Sequence, residues 1–272
     1  MQIGVFAKTF PGSEPTGVLA AVRDAGFTVT QFNLACAGLP SMPDAVPDQA
    51  IHAIEAAAKA SGVGLVALSG TYNMAHPDKA VRDDGLRRLA VIIETAARLS
   101  IPLVTLCTGT RNAGDQWARH PDNSDPSAWA DMAREMEKAL QLAERHGVDL
   151  GIEPEQANIV TSADDAMRLI GEMSSTRLRI VLDPANLFER ASADEARDIV
   201  AKAVERTVGY VSLAHAKDRF ADGRFATAGQ GIVDFADFIA RLKTAGFDGP
   251  LVTHGLSAEE AAGVARFLKE FV

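Results

Sequence analysis

The chain has 272 residues, a length that one β/α barrel fills and that two ordinary domains would also fill. Apolar residues (47%) and charged residues (23%) are spread along the chain, which excludes a long disordered segment. The net charge of −9, without any basic run, argues against duplex nucleic acid as a partner.

The number of cysteines and the sequence of the N-terminus indicate in which cellular compartment we expect the protein. Cys36 and Cys107 are too few for a disulfide framework or a thiolate metal cluster, so we expect a reducing compartment. The chain begins with a strand-like run at residues 2–6, and no segment approaches about 18 uninterrupted apolar residues. We therefore expect a cytoplasmic protein that is neither exported nor inserted into a membrane.

Short β-rich runs alternate with longer runs of helical periodicity along the whole chain. The predicted strands cover residues 2–6, 28–33, 64–69, 102–106, 149–153, 177–183, 207–214 and 250–254. The predicted helices cover residues 15–25, 47–61, 78–99, 127–146, 162–173, 192–205, 234–244 and 257–271. Continuous apolar strands favour a parallel sheet covered by helices, and eight units close a barrel. The pattern predicts a single (β/α)8 TIM barrel domain over residues 1–272, without a composition break.

Four long non-helical segments each follow a predicted strand, at residues 34–46, 69–77, 107–126 and 217–232. In a (β/α)8 barrel, these loops lie on the face where active sites form. Their length predicts a deep, partly lidded pocket. Alternatively, the loops became long by evolutionary drift, without a functional role. Trp117 and Trp129 flank the third of these loops, where an aromatic side chain could close over the face of a sugar; Trp129 could instead pack on the helix that it begins.

Predicted strands five to eight each end at an ionisable side chain: Glu153, Asp183, His215 and His254. An ionised carboxylate buried against a core is costly unless it is paired or binds a cation. Four such groups at one mouth of a barrel predict a bound divalent metal. Two carboxylates with two imidazoles suit Mn, Zn, Co or Fe better than Mg or Ca. Taken singly, each carboxylate could instead pair with Arg or Lys, and each histidine could be a hydrogen-bonded core residue.

The order of four short motifs carries a family resemblance. They are I-E-P at 152–154, L-D at 182–183, H-x-K-D at 215–218 and the glycine-containing segment 229–235. Together they resemble the xylose isomerase-like TIM barrel superfamily, in its sugar (phosphate) isomerase/epimerase branch, over essentially the whole chain. The resemblance implies a metal-dependent isomerase or epimerase of carbohydrate metabolism, with Glu153, Asp183 and His215 as ligands of Mn or a similar ion.

Two positions depart from that branch. The strand-eight place usually holds a glutamate that doubles as an acid/base group, and here it holds His254. The epimerases commonly place a histidine three residues after the strand-six aspartate, where this chain has Asn186. The endonuclease IV group of the superfamily needs three zinc ions, and the six histidines do not recreate that ligand set.

The predicted chemistry is proton transfer at a carbon next to a carbonyl in a small keto sugar or polyol. The metal would act as a Lewis acid, and Glu153 and His254 would serve as general base and acid. Eight further polar residues at strand ends are predicted to bind substrate: Asn33, Asn73, His76, Glu155, Asn158, Asn186, Lys217 and Arg219. Alternatives remain open, since the first two asparagines could be turn residues, His76 could begin a helix, and Lys217 or Arg219 could pair with Asp218.

Two alternative functions are compatible with the same predicted barrel. One is a metal-dependent lyase or dehydratase acting on an inositol-derived ketone or a keto-glycoside, because elimination starts with the same proton abstraction. The other is a non-catalytic sugar-binding barrel that lacks turnover because the strand-eight glutamate is absent. In each case the partner is a small carbohydrate or polyol, and a homo-oligomer is an open alternative because such barrels often associate.

Overall fold

Eight parallel strands form a closed barrel in the computed structural model, which describes residues 1–272. The barrel strands are β1 (Gln2–Phe6), β2 (Val29–Phe32), β3 (Gly64–Ser69), β4 (Leu103–Leu106), β5 (Asp149–Ile152), β6 (Leu178–Leu182), β7 (Val211–Ala216) and β10 (Pro250–Thr253). Around the ring they follow the order β1, β10, β7, β6, β5, β4, β3, β2. Two further strands, β8 (Asp218–Arg219) and β9 (Phe225–Ala226), pair antiparallel as a separate hairpin. The predicted TIM barrel of eight parallel strands is confirmed.

Eight α-helices cover the barrel, and each follows one barrel strand. They are α1 (Pro15–Asp24), α2 (Asp48–Ser61), α3 (Lys79–Arg98), α4 (Pro126–His146), α5 (Ala163–Met173), α6 (Ala193–Arg206), α7 (Phe235–Thr244) and α8 (Ala261–Lys269). Four short 3-10 helices occupy Ala7–Thr9, Leu34–Ala37, Pro121–Ser124 and Pro184–Asn186. No helix combines the length and the apolar character needed to cross a membrane.

The seventh barrel strand begins later than predicted. The sequence pattern places it at residues 207–214, whereas β7 spans Val211–Ala216. Thr207 still belongs to the end of α6, because its hydroxyl donates to the carbonyl of Ala203 at 2.8 Å. Gly209 then reverses the chain with a φ of 80°, a conformation that glycine adopts without steric cost. The shift places His215 inside the strand instead of beyond its end.

Small and branched apolar side chains fill the lower part of the barrel interior. Ala67, Leu103, Val181, Leu213 and Val252, from five different strands, form one buried cluster, which we call the floor. Gly151 lies in the same layer, where a Cβ atom would come within 2.8 Å of Val181. The larger cluster of buried apolar residues packs between the barrel and its helices. The floor closes the barrel below the carboxyl ends of the strands.

Candidate metal centre

A layer of mostly polar side chains lies directly above the floor. Because side chains alternate between the two faces of a strand, the residue two positions after each interior residue also faces the interior. That position is polar or ionisable on seven of the eight barrel strands, which we call the polar layer: Gln31, Ser69, Thr105, Glu153, Asp183, His215 and His254. Of the four ionisable residues, His215 lies in β7, and the other three directly follow β5, β6 and β10. These four strands are adjacent in the ring.

The four ionisable side chains of the polar layer meet at one point. Nε2 of His254 lies 3.0 Å from Oδ2 of Asp183, and Nδ1 of His215 lies 3.2 Å from Oε1 of Glu153. Nδ1 of His215 is also 3.9 Å from Oδ2 of Asp183. One donor atom from each of the four residues falls within 4.8 Å of the others. The structure therefore brings the predicted metal ligands together.

This spacing fits a single metal ion. Bonds of about 2.1 Å to nitrogen or oxygen place opposite ligand atoms about 4.2 Å apart, so shifts of a few tenths of an ångström would close the set. The donor chemistry also fits, since borderline divalent ions accept imidazole and carboxylate together. These residues therefore suit Mn, Zn, Co or Fe(II) as the bound metal.

The charges in the centre favour ionised carboxylates. Burial raises the pKa of Asp183, but the ammonium of Lys217, 3.5 Å away, and the hydrogen bond with His254 lower it by more. Burial also raises the pKa of Glu153, but His215 and His254 together lower it by more, so this pKa lies below its ordinary value. Burial lowers the pKa of His254, assisted by the neighbouring His215, which favours the neutral imidazole. Ionised carboxylates and a neutral imidazole are the forms that bind a metal.

Gln31 determines which nitrogen of His215 carries a proton. Its amide nitrogen donates to the hydroxyls of Ser69 and Thr105, each at 3.1 Å. Its amide oxygen faces Nε2 of His215 at 3.0 Å and can only accept. The proton on Nε2 leaves the lone pair on Nδ1, which faces Glu153 and Asp183. A lone pair facing two carboxylates is repulsive unless a cation or a second proton lies between them.

A cavity of about 580 Å³ opens above the polar layer. Three of the four predicted ligands, Glu153, His215 and His254, line it, and the loops after β1 to β4 form the opposite side. Glu155 also lines this cavity, where burial and the charge of Glu153 raise its pKa to about 7. This size lies within the roughly 300–1,000 Å³ of small-molecule sites. We call this space the central cavity.

Four of the predicted substrate-binding residues line the central cavity: Asn33, Glu155, Asn186 and Lys217. Asn186 links two charged neighbours, because its amide donates to Oε1 of Glu153 at 2.7 Å and accepts from Lys217 at 2.6 Å. The side-chain oxygen of Asn33 caps a 3-10 helix by accepting from the backbone of Ala35 at 3.0 Å. Asn33 therefore also acts as a turn residue, which was the alternative interpretation of its position in the sequence.

The other four predicted substrate-binding residues do not line the central cavity. Asn158 is buried and bridges the amide of Gly109, at 2.6 Å, and Glu155. The guanidinium of Arg219 donates to backbone carbonyls, including that of Ala185 at 2.8 Å. Asn73 accepts from the amide of Thr110 at 2.9 Å and thus ties two loops together. His76 lies beside Asn73 in a neighbouring groove.

Several cavity residues were not predicted from the sequence. Gln31, Ser69 and Thr105 occupy the polar layer on β2, β3 and β4, and the exposed Phe225 of β9 covers the ammonium of Lys217 at 4.0 Å. Lys8 enters the cavity from the 3-10 helix after β1. Counting every second residue from the interior of each strand would have indicated the three polar-layer residues.

Comparison with known proteins identifies the family. A family model described as xylose isomerase-like TIM barrel matches residues 19–271. No curated protein matches the chain.

Solved structures of several sugar epimerases share the fold. The apo form of 3-keto-D-glucoside 4-epimerase, YcjR, from E. coli has 18% identity and a TM-score of 0.79, covering 99% of each chain. D-psicose 3-epimerase with D-tagatose, from Clostridium cellulolyticum H10, has 15% identity and a TM-score of 0.77, covering 100% of this chain and 99% of that chain. An L-ribulose 3-epimerase has 20% identity and a TM-score of 0.76, covering 99% of this chain and 92% of that chain. At these identities the similarity establishes the fold.

Proposed function

The chain belongs to the xylose isomerase-like TIM barrel family, and from that membership we propose that it is a metal-dependent epimerase or isomerase of a small keto sugar or polyol. The proposed reaction moves a proton at the carbon next to a carbonyl. One observation carries the proposal: Glu153, Asp183, His215 and His254 converge within 4.8 Å beneath a cavity of small-molecule size.

The same four residues would hold the metal. A divalent ion bound there supplies Lewis acidity toward a carbonyl oxygen. Asp183 is fully buried and accepts from the backbone amide of Ala185 at 2.9 Å, so the loop after β6 holds its carboxylate in place. Asp183 would therefore serve as a ligand alone, and so would His215, because Gln31 engages its Nε2; Glu153 and His254 also reach the substrate side.

Glu153 and His254 are the proposed general base and acid. They directly follow β5 and β10, the two outer strands of the four around the centre, so they reach a ligand above it from opposite sides. Both side chains line the central cavity. The hydrogen bond from Asn186 fixes the orientation of the Glu153 carboxylate. Groups on opposite sides of one carbon are the arrangement that inversion at that carbon requires.

The lining of the central cavity favours a sugar. Lys8, Asn33, Thr71 and Glu155 surround it with donors and acceptors for hydroxyl groups. The structural neighbours are named for the epimerisation of keto sugars, which supports a substrate of the same class.

Solvent exchange tests this proposal. The metal-loaded protein is incubated in deuterated water with D-psicose, D-tagatose, L-ribulose and 3-keto-D-glucose, and products are followed by NMR. We expect deuterium at the carbon next to the carbonyl together with an epimer or isomer. Glu153→Gln and His254→Gln should each lower the exchange rate by about 100-fold or more, because each removes a proton-transfer group. His52→Gln, on the exposed face of α2, is the matched histidine control.

Three outcomes would contradict the proposed reaction. A dehydrated or cleaved product would identify a lyase instead. Thermal stabilisation by a sugar without any exchange would identify a binding protein. Full metal content in both Glu153→Ala and Asp183→Ala would remove the proposed ligand set.

A further inference from the structure

A second space lies beside the central cavity and continues it. This groove has a volume of about 560 Å³ and runs between the first half of α3 and the loops after β2, β3 and β4. Met42, Thr71 and Gln116 line both the groove and the central cavity. A ligand bound over the metal centre could therefore extend past these three residues without leaving a lined surface. We call this space the side groove.

Hydrogen bonds hold the walls of the side groove in place. Arg88 of α3 donates to the carbonyl of Met42 at 2.9 Å and pairs with Asp84 at 2.8 Å, which ties the loop after β2 to the helix. Asn73 donates to the carbonyl of Asn112 at 3.3 Å. The side-chain oxygen of Asn112 accepts in turn from the amide of Gly114 at 3.0 Å. The groove is therefore formed in the unliganded protein, which reduces the entropic cost of binding.

The side groove combines polar and apolar surface. The half-buried side chains of Thr71 and Gln116 lie at its junction with the central cavity, and no other residue of the chain engages their polar groups. Val81, on the α3 wall, is 45% exposed and supplies apolar surface to the groove together with Met42. A sugar ring presents hydroxyl groups at its edge and C–H groups on its faces, so it matches both kinds of surface.

We infer that the side groove is a subsite for the second ring of a glycoside, whose keto ring lies in the central cavity. The volume argues for two units, because each space alone falls within the roughly 300–1,000 Å³ range of small-molecule sites. The inference rests on the proposed function for the position of the keto ring. It narrows the substrate class from free keto sugars to keto-glycosides.

Equilibrium binding tests the subsite independently of turnover. The dissociation constants of 3-keto-D-glucose and of a 3-keto disaccharide, such as 3-keto-trehalose, are measured by calorimetry on the metal-loaded full chain. We expect the disaccharide to bind at least about tenfold more tightly than the monosaccharide. Gly114→Phe should bring the ratio of the two constants close to one by filling the side groove. A Cβ at Gly114 has only Asn112 Oδ1 nearby, at 3.7 Å, so the new ring can be accommodated.

Two further variants make the result decisive. Val81→Trp narrows the groove from its other wall and should reduce the same ratio, whereas Gly171→Phe, on the exposed face of α5, should leave the ratio at its original value. Equal affinity for the two sugars, or a preference that persists in Gly114→Phe and Val81→Trp, would overturn the subsite. A disaccharide preference without solvent exchange would instead contradict the proposed reaction and leave the subsite supported.

Discussion

Gln31 illustrates how one amide can prepare an imidazole for metal binding. Its oxygen accepts from Nε2 of His215, and its nitrogen is committed to the hydroxyls of Ser69 and Thr105. The amide therefore cannot rotate without losing three hydrogen bonds. A ligand histidine whose outer nitrogen is fixed in this way keeps its tautomer and its orientation, which strengthens the metal bond.

Gln31→Leu should weaken metal binding without preventing folding. Leucine has a similar volume but cannot accept from Nε2, so the affinity for Mn²⁺ is expected to fall by about 10–100-fold. Isothermal titration calorimetry measures the change, with circular dichroism as the check on folding. Gln49→Leu, on the exposed surface of α2, is the matched control. An unchanged affinity in Gln31→Leu would show that the amide does not position His215.

The sequence reveals the four ionisable residues more readily than their partners. Glu153, Asp183, His215 and His254 are visible because each ends or interrupts an apolar run at an equivalent place in a strand. Gln31 lies inside the predicted strand 28–33 and contacts β3, β4 and β7, which only the closed ring brings together. Arg219 shows the reverse difficulty, because its charge predicted contact with substrate whereas its guanidinium holds backbone carbonyls.

Among the structural elements, the hairpin of β8 and β9 depends on a buried aspartate. The carboxylate of Asp218 accepts from the backbone amides of Arg219, Gly229, Gly231 and Val233 at 2.8–3.0 Å. A Cβ at Gly231 would lie 2.3 Å from this carboxylate, so only glycine allows the close approach. The last residue of the H-x-K-D motif and the glycine-containing segment 229–235 are thus parts of one loop anchor.

Asp218→Asn should destabilise the protein by about 2–4 kcal/mol, because an amide offers one accepting oxygen and directs a donor at buried N–H groups. Urea denaturation measures the loss. Asp222→Asn, at the exposed tip of the same hairpin, is expected to change stability by less than about 0.5 kcal/mol. Equal stability of the two variants would mean that the loop does not depend on Asp218.

The hairpin is an element that the sequence pattern did not predict. Residues 217–232 have no apolar periodicity, so the sequence predicts a loop. The two-residue strands form because Asp218 and Arg219 pair with Ala226 and Phe225. The helices, in contrast, follow local periodicity, and predicted helix 192–205 differs from α6 by one residue at each end. At its start, Ser192 is the N-cap and forms a capping box with Glu195.

For the whole molecule, the repeated βα pattern and the number of strands were sufficient to predict the barrel. Eight parallel strands covered by helices close into a barrel, and a closed barrel has no strand with an unpaired edge. The register between strands was not predictable, because it depends on how the interior side chains pack. It is this register that places the floor, the polar layer and the central cavity in succession.

Metal binding should stabilise the whole barrel, because the ligands come from four adjacent strands. A metal present at 100 times its dissociation constant adds about 2.7 kcal/mol to the free energy of unfolding. For a chain of this size, the midpoint of thermal unfolding is then expected to rise by about 5 °C. Differential scanning calorimetry with added Mn²⁺ measures the rise. Asp183→Ala should show no rise, and a comparable rise in that variant would place the stabilising ion elsewhere.

The closed floor has a consequence for the order of events. Since apolar side chains seal the barrel beneath the centre, the proposed ion and sugar would share a single entrance from the loop side. The ion would then load first, and a bound sugar would cover it. A chelator should consequently remove the metal faster from the sugar-free protein than from the sugar-bound protein. Bound sugar would thus slow the dissociation of the metal.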